Sequence, residues 1–223
     1  MMAKKRFPPP SNGQAKGTKE RKKGLKIEWK IENVVATAVL DLGGKANKIN
    51  LNQVARKYTN CEYNPERFPG LVMRIDEPKA TILLFSTAKM VITGMRLSSE
   101  AETVVNRVVG LLEKVRIHVE PEPEITIQNI VASGDLNVPI DLNEAAIIME
   151  NAIYEPEVFP GLIYRMKEPK TVFLMFSTGR IVCTGAKTKE IVEHAIEKLA
   201  KQVRDYGIAI KDPGDIAGEF DFF

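Results

Sequence analysis

A nine-residue segment occurs twice in the sequence, and this duplication constrains the fold more than any other feature. Residues 66–74 read ERFPGLVMR and residues 157–165 read EVFPGLIYR, at an offset of 91 residues. The same offset relates Glu-Pro-Lys at 77 and 168, Phe-Ser-Thr at 85 and 176, and Thr-Gly at 93 and 184. Two copies are too few for an open solenoid. The sequence therefore predicts two half-domains related by a pseudo-two-fold axis.

Charge is unevenly distributed along the chain. The formal net charge is +3, but residues 1–26 carry nine Lys or Arg against Glu20, which gives +8 there and leaves −5 for the rest. This segment contains Pro8-Pro9-Pro10 and lacks apolar periodicity, so we predict a disordered arm that solubilises the chain or contacts nucleic acid.

Composition excludes several classes of protein. No run approaches the ~20 apolar residues of a membrane span, and no signal peptide is recognisable, which predicts an intracellular protein. Cys61 and Cys183 stand far apart, so we expect reduced thiols, with no disulfide, metal site or other cofactor.

Periodicity predicts the same order of elements in both copies. The first copy has a strand at 31–39, a helix near 52–58, three or four strands between 68 and 94, and a helix at 99–114. The second has equivalents at 125–133, 143–151, 159–185 and 189–204. Ser99-Glu100-Ala101-Glu102 fits a capping box. The last helix carries one apolar stripe, formed by Ile191, Val192, Ala195, Ile196, Leu199 and Val203.

Alternation along the strands gives the predicted sheet two apolar faces. One face, which can meet the helices, carries Ile82, Leu84, Met90 and Ile92. The other carries Leu83, Phe85, Val91 and Thr93, repeated as Leu174, Phe176, Val182 and Thr184, together with Asn33 and Val35, repeated as Asn129 and Val131. A half-solvated antiparallel sheet is normally polar on its outer face. The second face is therefore a predicted interface, with burial by a third layer as the alternative.

Cations border that face at matched positions, namely Arg74, Lys89 and Arg96 in one copy and Arg165, Arg180 and Lys187 in the other. A cationic border favours a polyanion whose phosphates pair with Lys and Arg. The minor groove of A·T-rich DNA fits the apolar middle, because its floor lacks the guanine amino group. Asn33 and Asn129 are then expected to hydrogen-bond to central base edges.

Four phenylalanines complete the pattern. Phe68 and Phe85 are separated by seventeen residues, as are Phe159 and Phe176. A strand Phe normally belongs to the core, but two of these lie on the outer face and two lie in Phe-Pro-Gly turns. Paired aromatic side chains at such places can enter base steps and kink a duplex.

The duplicated Asn-x-Val, Phe-Pro-Gly, Arg, Phe-Ser-Thr and Thr-Gly motifs resemble the TATA-binding protein family over roughly residues 27–211. The resemblance implies an α+β saddle, with a curved ten-stranded antiparallel sheet and helices on its convex face. It also implies a general transcription initiation factor that binds the TATA box and bends it. The chain then divides into the arm at 1–26, repeats at 27–118 and 119–211, and a tail at 212–223.

The resemblance also assigns roles by position. The intercalating side chains are Phe68, Phe85, Phe159 and Phe176. The groove floor is Asn33, Val35, Leu83, Val91, Thr93, Asn129, Val131, Leu174, Val182 and Thr184. Phosphate contacts are Arg74, Lys89, Arg96, Arg165, Arg180 and Lys187. The surface for transcription factor B is Tyr154, Glu155 and Glu157, and RNA polymerase is recruited indirectly. A free saddle is expected to be able to form a homodimer.

Phe-Pro-Gly in both copies and the short arm favour archaeal members of the family. That implies a cytoplasmic, nucleoid-associated protein, whereas a eukaryotic member would be nuclear. Thirty-five residues separate Asn33 from Phe68 and thirty separate Asn129 from Phe159, so the first copy holds five extra residues, around 41–48. Ala88 stands where the second copy has Gly179, which predicts a different turn type. The acidic, aromatic tail has no assigned role.

Other function classes have less support. An enzyme is disfavoured because the only histidines, His118 and His194, have no matched Ser or Cys partner, and residues 42–45 lack the spacing of a phosphate-binding loop. A scaffold that binds another protein through the apolar saddle is the main alternative. Its binding would depend only weakly on salt. RNA binding ranks last, because an A-form groove would not accept the aromatic side chains.

Overall fold

The computed structural model describes residues 27–44 and 48–210. The predicted arm at 1–26 and tail at 212–223 lie outside the described residues, as do residues 45–47 of the predicted insertion. None of the described helices is long and apolar enough to cross a lipid bilayer.

Ten strands form one antiparallel sheet, as predicted. They are β1 (Glu28–Val39), β2 (Cys61–Glu62), β3 (Leu71–Asp76), β4 (Lys79–Leu84), β5 (Lys89–Met95), β6 (Glu124–Asp135), β7 (Ala152–Ile153), β8 (Leu162–Met166), β9 (Thr171–Met175) and β10 (Arg180–Ala186). The order across the sheet is β2-β3-β4-β5-β1-β6-β10-β9-β8-β7. The two repeats therefore meet at the pairing of β1 with β6, and each repeat ends in a two-residue edge strand.

Four helices pack on one face of this sheet. They are α1 (Leu51–Lys57), α2 (Glu100–Lys114), α3 (Leu142–Ile148) and α4 (Lys189–Asp205). Helix α1 packs against β2, α2 against β5, α3 against β7, and α4 against β6 and β10. The predicted helices are confirmed, although α3 ends three residues before the predicted boundary.

Burial follows the alternation of the strands. Ile82, Leu84, Met90 and Ile92 have no exposed surface, which confirms that these positions face the helices. Five residues of the predicted α4 stripe are fully or almost fully buried, and Ile191 is half-buried. One hydrophobic core lies between the helices and the sheet, and it leaves the opposite face uncovered. We call this uncovered side the open face.

The start of α2 differs from the prediction. Ser99 makes no side-chain capping hydrogen bond, so the predicted capping box is wrong. Instead the Glu100 carboxylate accepts from the backbone N–H groups of Arg96 and Leu97, each at 3.0 Å. Arg96 and Leu97 precede the helix, so this carboxylate holds the chain that enters α2, while the N–H groups of Glu100 and Ala101 donate to the carbonyls of Leu97 and Ser98 at 3.1 Å and 3.3 Å. In α4, Thr188 does cap, accepting from the N–H of Ile191 at 3.3 Å.

The hairpin turns at Ala88 and Gly179 are alike, contrary to the predicted difference in turn type. Both residues have left-handed backbones, with φ of +62° and +91°. Each donates its N–H to the carbonyl three residues earlier, at 3.0 Å and 2.9 Å. Alanine fits the first turn but not the second, because a Cβ on Gly179 would lie 2.3 Å from the Val138 carbonyl oxygen. The second repeat therefore requires glycine there.

We predict that Gly179→Ala lowers the free energy of unfolding by about 2 kcal/mol or more, because the new Cβ overlaps backbone and the residue has a positive φ. Ala88→Gly in the equivalent turn is the control and should change it by less than about 1 kcal/mol. Urea unfolding followed by circular dichroism measures both. Equal effects of the two substitutions would contradict the assignment of the close contact to Gly179.

Candidate nucleic-acid interface

The open face carries the predicted floor residues of both repeats. Asn33, Val35, Leu83, Val91 and Thr93 are all half-buried, as are Asn129, Val131, Leu174, Val182 and Thr184. Residues that alternate with them along the strands are buried on the helix side, namely Val34, Ile82, Leu84, Met90, Ile92, Ile130, Ala132 and Cys183. The structure therefore brings the ten positions together on one side of the sheet. The β1–β6 register, with Val35 opposite Asn129 and Asn33 opposite Val131, places both amides at the centre.

Each central amide is oriented by the backbone beside it. The Asn33 Oδ1 accepts from the N–H of Gly94 at 2.7 Å, and its Nδ2 donates to the Thr93 hydroxyl at 3.1 Å. The second repeat reproduces this: the Asn129 Oδ1 accepts from Gly185 N–H at 2.8 Å, and Nδ2 donates to Thr184 at 3.0 Å.

This orientation decides what each amide can offer a ligand. The oxygen is engaged by a backbone donor, while Nδ2 has a second hydrogen, and an amide nitrogen only donates. Gly94 and Gly185 have φ of +92° and +96°, which is the backbone conformation that glycine adopts without strain. The Thr-Gly motif is thus tied to the amide by a hydrogen bond, a relation that the sequence spacing did not reveal.

The four phenylalanines form two pairs on the same face. Phe68 and Phe85 have ring centroids 5.8 Å apart, and Phe159 and Phe176 have centroids 6.1 Å apart. Both pairs are edge-to-face at 64°, the arrangement that the quadrupoles of aromatic rings favour. Phe68 and Phe159 are each 37% exposed. The pairs therefore present aromatic surface to solvent from the two ends of the open face.

A glycine beside each pair explains the Phe-Pro-Gly turns. A Cβ on Gly70 would lie 2.6 Å from Phe68 Cε1, and one on Gly161 would lie 2.7 Å from Phe159 Cε1. Neither glycine has a positive φ. Glycine is needed at both positions because the phenylalanine ring lies directly against the backbone.

The six predicted phosphate contacts are all exposed but differ in their partners. Arg74 pairs with Glu62 at 2.7 Å, and Arg96 lies 3.9 Å from Glu32. Glu32 also accepts from the Ser133 hydroxyl at 2.6 Å and pairs with Lys30 at 3.0 Å. These contacts, the Ser133 hydrogen bond first, lower the pKa of Glu32. The other four cations have no ion pair with any described residue.

The predicted partner surface lies at the second edge of the sheet. Glu155 and Glu157 are exposed and Tyr154 is half-buried. Sequence reasoning missed two neighbours in that repeat, Val158 at 80% exposure and Ile147 at 84%. A difference between the repeats could have revealed them, because the equivalent residues of the first repeat, Arg67 and Arg56, are charged.

The Cys183 thiol is buried and the Cys61 thiol is half-buried. Burial raises the pKa of Cys61 to about 11 and that of Cys183 to about 12, so both are protonated near neutral pH. Within residues 27–44 and 48–210, no three His, Cys, Asp or Glu side chains are grouped as a metal site.

Comparison with known proteins identifies the family. The family model for "Transcription factor TFIID (or TATA-binding protein, TBP)" matches residues 28–115 and 124–206. The chain belongs to the TATA-binding protein family. A TATA-box-binding protein of Pyrobaculum aerophilum is 43% identical over 194 residues, which cover 86% of this chain and 95% of the relative.

Other relatives of this TATA-binding family member are also archaeal. The TATA-box-binding protein of Aeropyrum pernix is 46% identical over 180 residues, covering 81% of this chain and 86% of the relative. The solved structure of Methanococcus jannaschii TBP is 39% identical and matches with a TM-score of 0.71 over 80% of this chain and 99% of that one. These matches confirm the resemblance and the saddle fold. Membership places the chain among general transcription initiation factors.

We predict that Gly161→Ala separates the second phenylalanine pair, because the new Cβ would lie 2.7 Å from Phe159 and 3.1 Å from Phe176. The nuclear Overhauser effect between the two rings should weaken, with a loss of about 1 kcal/mol of stability. Gly110→Ala, in α2 with open space at its Cβ, is the control and should stabilise the protein by about 0.5–1 kcal/mol. An unchanged ring–ring signal would contradict the proposed role of Gly161.

Proposed function

We propose that the open face binds the minor groove of a TATA box, bends the duplex by inserting the four phenylalanines, and so nucleates assembly of the transcription preinitiation complex. The observation that carries this proposal is the pair of oriented amides at the centre of an otherwise apolar face. Beyond the hydrogen that Nδ2 gives to Thr93 or Thr184, Asn33 and Asn129 each keep a second Nδ2 hydrogen, and the floor of an A·T minor groove offers only acceptors.

The valines around the two amides disfavour guanine in the bound sequence. The guanine amino group would project into Val35, Val91, Val131 and Val182 and lose its hydrogen bonds to water. The exposed cations at the border, including Arg165, Arg180 and Lys187, are positioned to neutralise phosphates and make binding depend on salt. Direct contact and deformability of A·T-rich steps then act together.

Bending follows from the position of the aromatic pairs. Each pair stands at one end of the face, so insertion at two separated base steps would unstack both and open the groove between them. Unstacking costs a few kcal/mol per step. Burial of an aromatic side chain stabilises the complex by about 1.5–3 kcal/mol, so four rings and the apolar floor can offset the deformation.

Assembly of the complex requires a surface that DNA leaves free. Tyr154, Glu155 and Glu157 lie beside the second edge strand, away from the floor, and we assign them to transcription factor B, which would then recruit RNA polymerase. This function is architectural, without catalysis or a cofactor, and would place the protein at the nucleoid. The same apolar face would support a homodimer of the free protein, in competition with DNA.

The test is fluorescence energy transfer across an end-labelled TATA duplex and a G·C-substituted control, titrated with protein at two salt concentrations. We expect a rise in transfer that is specific for TATA and weakens steeply with salt. Phe176→Ala should lower the maximal transfer and weaken binding by about 10–100-fold, from the lost ring burial. Phe173→Leu, three residues earlier in β9 but buried on the helix side, is the control and should leave the bend unchanged.

Two results would contradict this proposal. The absence of TATA-specific transfer at either salt concentration would favour the protein-interaction scaffold. An unchanged bend in Phe176→Ala would reject intercalation while leaving groove binding intact.

A second prediction concerns the donors of the central amides. Asn129→Asp preserves the acceptor for Gly185 N–H but replaces Nδ2 with oxygen, which repels the groove acceptors. We expect affinity for TATA DNA to fall by about 1–3 kcal/mol more than in Gln128→Glu, which adds the same charge one residue away. Filter binding at constant salt measures both. Equal losses would show that charge alone, and not the donor, explains the effect.

A further inference from the structure

A groove between α1 and the C-terminal end of α2 lies on the helix side of the first repeat. It has a volume of about 840 Å³ and is lined by Arg56, Lys57, Lys114 and Arg116, with Gln53 and Val115 between them. The Gln53 side chain, in the first turn of α1, donates to the Val115 carbonyl at 2.6 Å and so ties α1 to the end of α2. We call these four basic residues the cationic groove.

The charges of the cationic groove are not compensated locally. All four side chains belong to exposed residues, and no described carboxylate lines the groove. Among the residues that the structure describes, none of the four forms an ion pair, in contrast to Arg74 and Arg96 on the other side of the sheet. Four like charges in one groove repel each other and attract anions.

The second repeat shows that the fold does not require these cations. The offset of 91 residues aligns Arg56, Lys57, Lys114 and Arg116 with Ile147, Ile148, Asp205 and Gly207. Cations at helix C-termini are favoured by the helix dipole, yet α3 ends in two isoleucines and packs in the same way. The helix dipole therefore does not explain a cluster that is confined to one repeat.

The two repeats also differ in which residue adopts a left-handed backbone beside the groove position. Arg116 has φ of +60°, and its counterpart Gly207 has φ of +71°. Glycine adopts this conformation without strain, whereas a residue with a Cβ does so at a cost. The first repeat thus places a guanidinium at the groove where the second uses the unstrained residue.

We propose that the cationic groove is a docking site for an acidic segment of a partner protein. Carboxylates pair with guanidinium groups through two parallel hydrogen bonds, and Arg56 and Arg116 supply two such groups. Duplex DNA is the less suitable polyanion, because the groove lies on the helix side while the proposed DNA site is the opposite face. The equivalent site in the second repeat carries Asp205, which repels the same segment. The partner would therefore bind one end of a pseudo-symmetric molecule.

The test is titration of the ¹⁵N-labelled full chain with an oligoglutamate peptide, using oligoglutamine as the neutral control. We expect amide shift changes at Arg56, Lys57 and Lys114, and none at Ile147, Ile148 or Asp205. Lys57→Gln/Lys114→Gln should weaken oligoglutamate binding by about tenfold. The control variant Lys189→Gln/Lys201→Gln removes the same charge from exposed positions on α4 and should not change it.

Three outcomes would overturn the proposal: no shifts at the groove, equal loss in the groove and control variants, or stronger shifts with a duplex that lacks a TATA sequence. The last would identify a second nucleic-acid site. TATA bending by both variants should match that of the unmodified chain. Bending therefore reports separately on the function proposed for the open face.

Discussion

The pairing of β1 with β6 is the interaction on which the rest of the structure depends. It joins two copies of one supersecondary unit through their longest strands, so that a single sheet with one continuous core forms in place of two small domains. The register puts Val34 opposite Ile130, on the covered side, and leaves Asn33 and Asn129 at the centre of the open face. A shift of one residue would turn both amides into the core.

The backbone fixes the orientation of the amide and aromatic side chains on the open face. Gly94 and Gly185 each hold an amide oxygen, so that the donor direction does not depend on a ligand. Gly70 and Gly161 leave room for the aromatic pairs in the same way. Such preorganisation lowers the cost of ordering side chains on binding. The helix side has diverged instead: the four cations of the first repeat correspond to three uncharged residues and one aspartate in the second.

Much of this architecture was predictable because the sequence states it twice. A strand or turn inferred in one copy was checked by the other, and alternation separated Ile82 and Ile92 from Leu83 and Val91. Predictions failed where a local motif has several solutions. Ser99 fits a capping box but makes no capping hydrogen bond, and the Glu100 carboxylate accepts instead from Arg96 and Leu97, before the helix begins. Ala88 has the same left-handed backbone as Gly179, although it is not glycine.

The sequence by itself determined the duplication, the sheet with two apolar faces, and the residue types on each face, because these depend on periodicity. Only the tertiary structure decided which way the amides point, which cations have carboxylate partners, and which helices enclose a groove. These features arise between residues that are far apart in the chain, such as Asn33 with Gly94 or Arg56 with Arg116. Their proximity follows from how strands and helices pack, which periodicity does not encode.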